Sequence, residues 1–555
     1  MKRWKYGGRR RIPQLALAFA IVVCCLFVVS AGPARAQTAD QIDALQQQIK
    51  ALQQQIDALK AAQAEQAAKA AQPAPAPAAA AAPVPPGQLP SEVGPGRTMF
   101  ANTAVKVTLG GFIEAASIYR DKNAGADVNS SWGLSSGGFP YPNSPDDHMN
   151  EFRETARQSR LSILAEGQED YASLAAYFEM DFLGGGTGTS GNSKESNSYS
   201  PRIRHLYLTY DTKGEYSGWH FLAGQEWSLL TMNKTGIIPR EENIPLTIDA
   251  QYVPGFTWTR NPQLRIVKDF DGIVWAGLSA ESPQAIITTG GLSAPSKTAA
   301  QYGSFSNYTY GLLNPNSAVY DVNGTTNSNE PSSLSLDQYP DIIGKVAVDP
   351  GFGHYEMYGI ARFFTDRTYL AGARGNNTTV GSGVGAAMLL PVAPKLLDFQ
   401  ASFLAGQGIG RYGSAQFSDV VINPITGKLD PISEAEILLG LVAHTTDRLD
   451  IYGYAGSERE SGKDVYLYKG TTAGFGAAAF GASPLLTIEG STASTSNLQA
   501  SGVEQATIGF WYNFYQGKFG RMRFGMSEAY TRLSIFNMPN QTMNTVMASF
   551  RYYPF

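Results

Sequence analysis

A membrane-spanning antiparallel β-barrel, all-β apart from a coiled-coil helix ahead of it, is the fold class that this 555-residue sequence predicts. Three observations carry that expectation. Apolar and polar residues alternate with a period of two in segment after segment. Short turns alternate with long polar loops, as they do at the two ends of a membrane barrel. Beyond the N-terminus, no run approaches the ~20 consecutive apolar residues of a spanning helix, and a barrel strand needs an apolar residue only at every second position.

The alternation is plain in four places. Val105, Val107, Leu109, Ile113 and Ala115 share one parity, with Lys106, Thr108 and Glu114 on the other. Leu161, Ile163 and Ala165 alternate with Arg160, Ser162 and Glu166. Leu174, Ala176, Phe178, Met180 and Phe182 alternate with Ser173, Tyr177, Glu179 and Asp181. At the C-terminus Val546, Ala548, Phe550 and Tyr552 oppose Thr545, Met547, Ser549 and Arg551, and the chain ends on Phe555. Outer-membrane barrels typically end on such a strand, although an edge strand of a soluble sheet fits it too. Residues 202–210 alternate less cleanly, as a β-bulge would make them. Residues 168–170 read as a short turn; 120–150, 184–200 and 283–335 read as long loops rich in Gly, Ser, Asn and Pro. The aromatics Tyr355, Tyr358, Phe363, Phe364, Trp511 and Tyr512 fit interface girdles, or a core.

Residues 1–36 have the form of a secretory signal. Lys2, Arg3, Lys5 and Arg9 to Arg11 precede an apolar stretch over 15–29, and Ala34-Arg35-Ala36 is an A-x-A cleavage site. Cys24 and Cys25 both fall within it, so the mature chain is expected to make no disulfide and to rely on burial and hydrogen bonding. Without the signal, 36 basic residues face 47 acidic ones, a net charge of −11, which argues against a nucleic-acid partner.

Residues 37–66 form a predicted coiled coil. Thr38 to Gln41 reads as a capping box, and Ile42, Leu45, Ile49, Leu52, Ile56 and Leu59 follow at heptad spacing with Ile at a and Leu at d. The heptads leave the number of helices open. Residues 67–104 read as an Ala/Pro-rich linker; its thirty residues from 67 to 96 would reach about 90 Å in polyproline geometry. The predicted barrel occupies 105–555.

Seven phrases, in order over residues 105–460, resemble the DcaP-like trimeric porins. They are Arg157-Gln-Ser-Arg160, Phe178-Glu-Met-Asp-Phe182, Arg202-Ile-Arg-His205 and Ala223-Gly-Gln-Glu-Trp-Ser228, then Arg260-Asn-Pro-Gln-Leu-Arg265, Tyr339-Pro-Asp341 and Gly408-Ile-Gly-Arg-Tyr412. The signal, coiled coil and linker are similar too. The resemblance implies about 16 strands per barrel, a homotrimer in the lipid bilayer of the outer membrane, a periplasmic helix, and passage of small anionic solutes, dicarboxylates among them.

Candidate pore-lining residues follow from parity and position. Arg160, Arg202, Arg204, Arg260 and Arg265 lie close to 231–259, a long Pro/Gly-containing segment that the resemblance to these porins implies can fold inward as a constriction. Arginines gathered at a poorly solvated narrow point attract carboxylates. Glu179, Asp181 and Glu226 are expected across from them, setting up a transverse field; structural ion pairs are the alternative. The tether's length also allows it to position the barrel relative to the periplasmic cell wall.

Enzyme chemistry finds little support. Gly133-Leu-Ser135-Ser-Gly137 matches G-x-S-x-G but lies in a Gly/Ser loop, without the strand-turn-helix of a nucleophile elbow. His148, His205, His220, His354 and His444 show no metal spacing, and no cofactor or metal is expected. Three function classes remain at this level: a diffusion porin, a barrel adhesin or enzyme working through its loops, and a secreted soluble β-protein.

Overall fold

The computed structural model describes residues 89–100, 104–128, 132–133, 138–184, 200–249, 251–288, 319–321, 335–370, 373–423, 428–468, 471–476 and 499–555. The signal, the coiled-coil seam, most of the linker and residues 134–137 of the G-x-S-x-G match lie outside them.

In chain order the strands that build the barrel and its seam are β1 Arg97–Phe100, β2 Val105–Arg120, β3 Glu151–Thr155, β4 Arg160–Gln168, β5 Ala172–Gly184, β6 Ser200–Thr212, β7 Trp219–Trp227, β8 Arg260–Phe270 and β9 Val274–Glu281. They continue with β10 Asp341–Val348, β11 His354–Leu370, β12 Ala373–Ala393, β13 Leu397–Gln407, β14 Ser433–Thr446, β15 Leu449–Glu460, β16 Ala500–Gly517, β17 Gly520–Ile535 and β18 Met538–Tyr553. Each pairs antiparallel with its neighbour, and β3 and β4 together make one interrupted strand against β2. The ring closes where β18 meets β2, from Ile113↔Tyr552 to Arg120↔Thr545, giving a 16-stranded barrel. β1 continues that seam, pairing Arg97↔Leu109 and Thr98↔Thr108 beyond the end of β18.

The expected parities hold. On β18, Val546 and Phe550 point outward while Thr545, Met547, Ser549 and Arg551 point in. Ile113, Leu161, Leu206, Leu264, Met357, Val384, Leu439 and Ile508 are among the apolar side chains left exposed on the outer face. A belt of this kind suits a lipid environment, where a Lys or Arg at the midplane would cost about 2–4 kcal/mol. Exposed aromatics gather near both strand ends: Tyr171, Trp219, Phe270, Phe352 and Phe519 by the short turns, Tyr119, Phe152, Tyr339 and Tyr530 by the long loops. Of the six aromatics left open between girdle and core, Tyr358, Phe364 and Trp511 point into the barrel and are buried there. Adjacent strand residues face opposite ways, so only one of Phe363 and Phe364, or of Trp511 and Tyr512, can reach the outer face.

The interior is filled by a loop. Residues 228–259 leave β7 and return to β8 with Ser228 N donating to Thr259 O at their base (2.9 Å). Ile248, Tyr252, Val253, Phe256 and Trp258 pack against Trp227, Leu438, Tyr452 and Trp511 of the wall. Polar contacts anchor the loop to widely separated strands: Lys345 Nζ to Thr231 O (2.7 Å), Gly255 N to Glu458 Oε1 (2.6 Å) and Trp511 Nε1 to Leu246 O (2.8 Å). The approach is close enough to require glycine. A Cβ on Gly456 would lie 1.8 Å from Pro254 O, and one on Gly255, whose φ is +83°, would lie 2.0 Å from Ile437 O.

The linker boundary expected at 104 falls too late. From Leu89 the chain is already packed on the inner wall: Leu89 and Val93 join Leu164, Tyr177, Tyr207 and Leu222 in one buried cluster. Between them Ser91–Val93 forms a single 3-10 turn.

Candidate functional site

The expected bulge is present and places the first arginine. Between β5 and β6 the register passes from Glu179↔His205 to Met180↔Ile203, leaving Arg204 as the extra residue. Arg204 and His205, adjacent in sequence, are therefore both buried. Arg204 Nε donates to Glu179 Oε1 (2.5 Å) and its Nη1 to Asp181 Oδ2 (3.1 Å). Arg202 forms a two-pronged pair with Asp181 (3.0 and 2.7 Å). His205 Nδ1 lies 3.0 Å from Glu226 Oε2.

These contacts correct the expected transverse arrangement. Glu179 and Asp181 sit beside the arginines on a neighbouring strand and hold them, and Glu226 faces a histidine. The carboxylates across the barrel are others: Glu434, Glu436, Glu458 and Glu460, all buried, on β14 and β15. That pair of strands lies about half-way round the ring from β6. Glu434↔Glu460 and Glu436↔Glu458 are direct cross-strand partners, an opposition of like groups that disfavours charge on both. Thr257 Oγ1 of the inward loop donates to Glu436 Oε2 at 2.9 Å.

Of the remaining expected arginines, Arg260 and Arg265 are held by aromatic and neutral groups, and Arg160 by carboxylates. Arg260 lies over the rings of Trp227 (4.8 Å) and Trp258 (5.0 Å), and its buried Nη1 has no hydrogen-bond partner. Arg265 donates to Gln263 Oε1 (3.0 Å) and Trp227 O (2.5 Å). Arg160 donates through Nη1 to Glu92 Oε1 (2.9 Å), with Glu179 Oε1 at 3.5 Å. Glu92, on the inserted 3-10 turn, also accepts from Tyr252 OH at 3.5 Å. Burial by itself would raise the Glu92 carboxyl, but Arg160 and Arg204 more than offset this and hold it down at about 2. Tyr252 sits in the left-handed region at φ +67°, strained for a non-glycine residue and pinned by its packing in the constriction.

Three further arginines escaped sequence reasoning. Arg521 and Arg523 on β17 and Arg551 on β18 extend the basic arc toward Arg160. Arg523 lies over Trp511 (3.9 Å), Arg521 over Tyr553 (4.3 Å), and Arg551 over Trp511 (4.5 Å) while donating to Glu114 Oε1 (2.9 Å). Arg521 Nε and Nη2 and Arg523 Nε are buried without partners. The signal for them was available: 521, 523 and 551 share the inward parity of their strands. These arginines, Arg160, Glu92 and Lys234 border one cavity of about 420 Å³. Near the short turns, three histidines each bridge two carboxylates: His220 between Asp211 and Asp269, His354 between Asp349 and Glu356, His444 between Asp450 and Asp398. No group of three or more His, Cys, Asp or Glu among the described residues is arranged to hold a metal ion.

Comparison with solved structures gives a match over most of the chain. The outer-membrane channel DcaP of Acinetobacter baumannii superposes with a TM-score of 0.53 at 16% identity, covering 82% of this chain and 99% of that one. The fold is that of the DcaP channel. The likeness is one of fold, and it is with a channel of the group that the seven phrases resemble. The anion-selective porin of Comamonas acidovorans aligns at a TM-score of 0.38 and 10% identity, over 81% of this chain and 99% of its own. Salmonella typhi OmpF, in complex with daunomycin, aligns at 0.41 and 8%, over 82% and 100%. No family model and no curated protein matches the sequence.

Proposed function

We propose that the protein is a DcaP-like porin of the outer membrane, through which small solutes diffuse passively and anions, dicarboxylates among them, are preferred. One observation carries the preference: an arc of inward-facing arginines in which Arg260, Arg265, Arg521 and Arg523 have aromatic or neutral partners. Arg202 and Arg204 are largely compensated by Asp181 and Glu179. The net charge of −11 expected once residues 1–36 are removed pulls the other way. Exposed charges are screened beyond about 8 Å at physiological salt, whereas guanidinium groups beside the inward loop act at short range through little water. The local field therefore decides. The same reading includes a homotrimer in the lipid bilayer, with the coiled coil of 37–66 in the periplasm.

The test is the reversal potential of the full-length protein in a planar bilayer under a KCl gradient. Chloride is expected to be the more permeant ion. A channel that prefers K⁺ refutes the proposed selectivity, and absence of any conductance refutes the pore.

A further inference from the structure

The contact between Glu92 and Arg160 joins residues of different kinds. Arg160 belongs to the wall. Glu92 belongs to the segment that links the barrel to everything N-terminal of it, and it reaches the interior on a three-residue turn. The turn is seated by Leu89 and Val93 in the wall cluster and by Lys234 Nζ donating to Ser91 Oγ at 2.8 Å. Gly94, at φ +83°, lets the backbone pass Tyr553, whose ring would lie 2.8 Å from a Cβ there. What this scaffold presents to Arg160 is a single carboxylate, about one-fifth exposed to the cavity.

Beyond that carboxylate, Arg521 and Arg523 line the cavity and pair with no carboxylate among the described residues. Arg160 Nε is buried without a partner, as are Arg521 Nε and Nη2 and Arg523 Nε. A guanidinium presents five N–H groups in a fork that matches a carboxylate. The cavity thus has one such group already engaged by a side chain of the chain itself, and two others that lie over aromatic rings.

We propose that the cavity bordered by Arg160, Arg521 and Arg523 is the carboxylate-binding site of the pore, and that Glu92 is its tethered occupant, displaced from Arg160 when a solute carboxylate binds. A dicarboxylate would place one group in the position Glu92 vacates and the other on Arg521 and Arg523. A tethered group competes at an effective concentration set by its linker, in the millimolar range for short flexible connections. The competition weakens the apparent affinity for free solute in proportion to the fraction of sites the tether leaves open. This inference rests on the anion-selective reading above.

Full-length protein, wild type and Glu92→Gln, is compared in planar bilayers, with succinate added in steps and its block of the KCl current recorded. If Glu92 occupies the site nine-tenths of the time, Glu92→Gln lowers the half-blocking succinate concentration about ten-fold and raises the Cl⁻/K⁺ permeability ratio. Arg521→Gln/Arg523→Gln, with Glu92 intact, abolishes succinate block. Heat-modifiable migration on gels verifies that each variant forms the barrel. An anion-selective wild type whose succinate block is unmoved by Glu92→Gln overturns the tethered occupant and leaves the anion pore standing. Cation preference in both wild type and Glu92→Gln overturns the pore's anion reading, and this site with it.

Discussion

Arg204 meets Glu179 at 2.5 Å across the bulge between β5 and β6, with neither side chain more than 1% exposed. The pair is therefore as much a structural fastening as a feature of the pore. Removing one partner of a buried pair costs about 3–5 kcal/mol, because the other charge is stranded. Arg204→Gln is expected to lower stability by that order, seen as a lower midpoint in detergent-based unfolding. Arg260→Gln has no carboxylate to strand. It is expected to shift the reversal potential toward K⁺ at a stability cost of about 1–2 kcal/mol, from the lost stacking on Trp227 and Trp258. Equal destabilisation by the two variants would contradict this division of roles.

Four of the five arginines expected from the sequence to line the pore form a second test. Replacing Arg160, Arg204, Arg260 and Arg265 together is expected to move selectivity toward cations, yet leave residual anion preference supplied by Arg521 and Arg523. Adding the latter two substitutions should complete the reversal. Uptake of a dicarboxylate into liposomes should fall in the same order, while a neutral solute of similar size changes less.

Gly456 supports the constriction from behind. Gly456→Ala puts a methyl 1.8 Å from Pro254 O, and backbone cannot yield as a flexible side chain can. The inward loop must shift. Single-channel recordings are expected to show altered conductance with added noise, in a barrel that still migrates as folded. An unchanged trace would mean that 254–255 can relax without moving the constriction.

Glu92 sets a pH window. Its carboxyl is held at about 2 when docked, against 4.5 when free. The folded value is depressed, so its contribution to docking is fully present above 4.5 and is lost as pH falls through about 2. The difference in current between wild type and Glu92→Gln should persist at pH 4 and vanish near pH 2. A difference that disappears already between pH 5 and 4 would contradict the docked geometry.

The predicted coiled coil can be tested alone. Ile49→Asp with Leu52→Asp puts charge into the a/d seam. An isolated 37–66 peptide is expected to lose its association in sedimentation, while the full-length protein remains oligomeric through its barrels.

Period-two alternation carried the barrel, because a lipid-facing position tolerates so few residue types. The poorly alternating stretch at 202–210 marked the bulge, and the Pro/Gly-containing segment at 231–259 marked the inward loop. Contacts between distant parts were another matter. Nothing local to Glu92 reveals a partner at Arg160, since the pairing depends on how the chain re-enters its own interior. Glu179 and Asp181 were expected opposite the arginines because parity fixes only the face of a side chain. Which wall it stands on follows from the order of strands around the ring. Arg521 and Arg523 were legible by the same parity rule that placed Arg160, but they lie far in sequence from the Pro/Gly-containing segment at 231–259.

The seam where β18 and β1 share the edge of β2 has a kinetic consequence. Ile113 and Tyr552 pair across nearly the whole barrel sequence, so this ladder closes the largest loop in the molecule and contributes a high contact order, which slows folding. The segment carrying Leu89 and Glu92 must also find the interior during that same interval. Docking early, it would act as a mandrel around which the first five strands curve. Arriving late, it would have to thread a nearly finished cylinder, and the rate of assembly, more than final stability, would register any change to it.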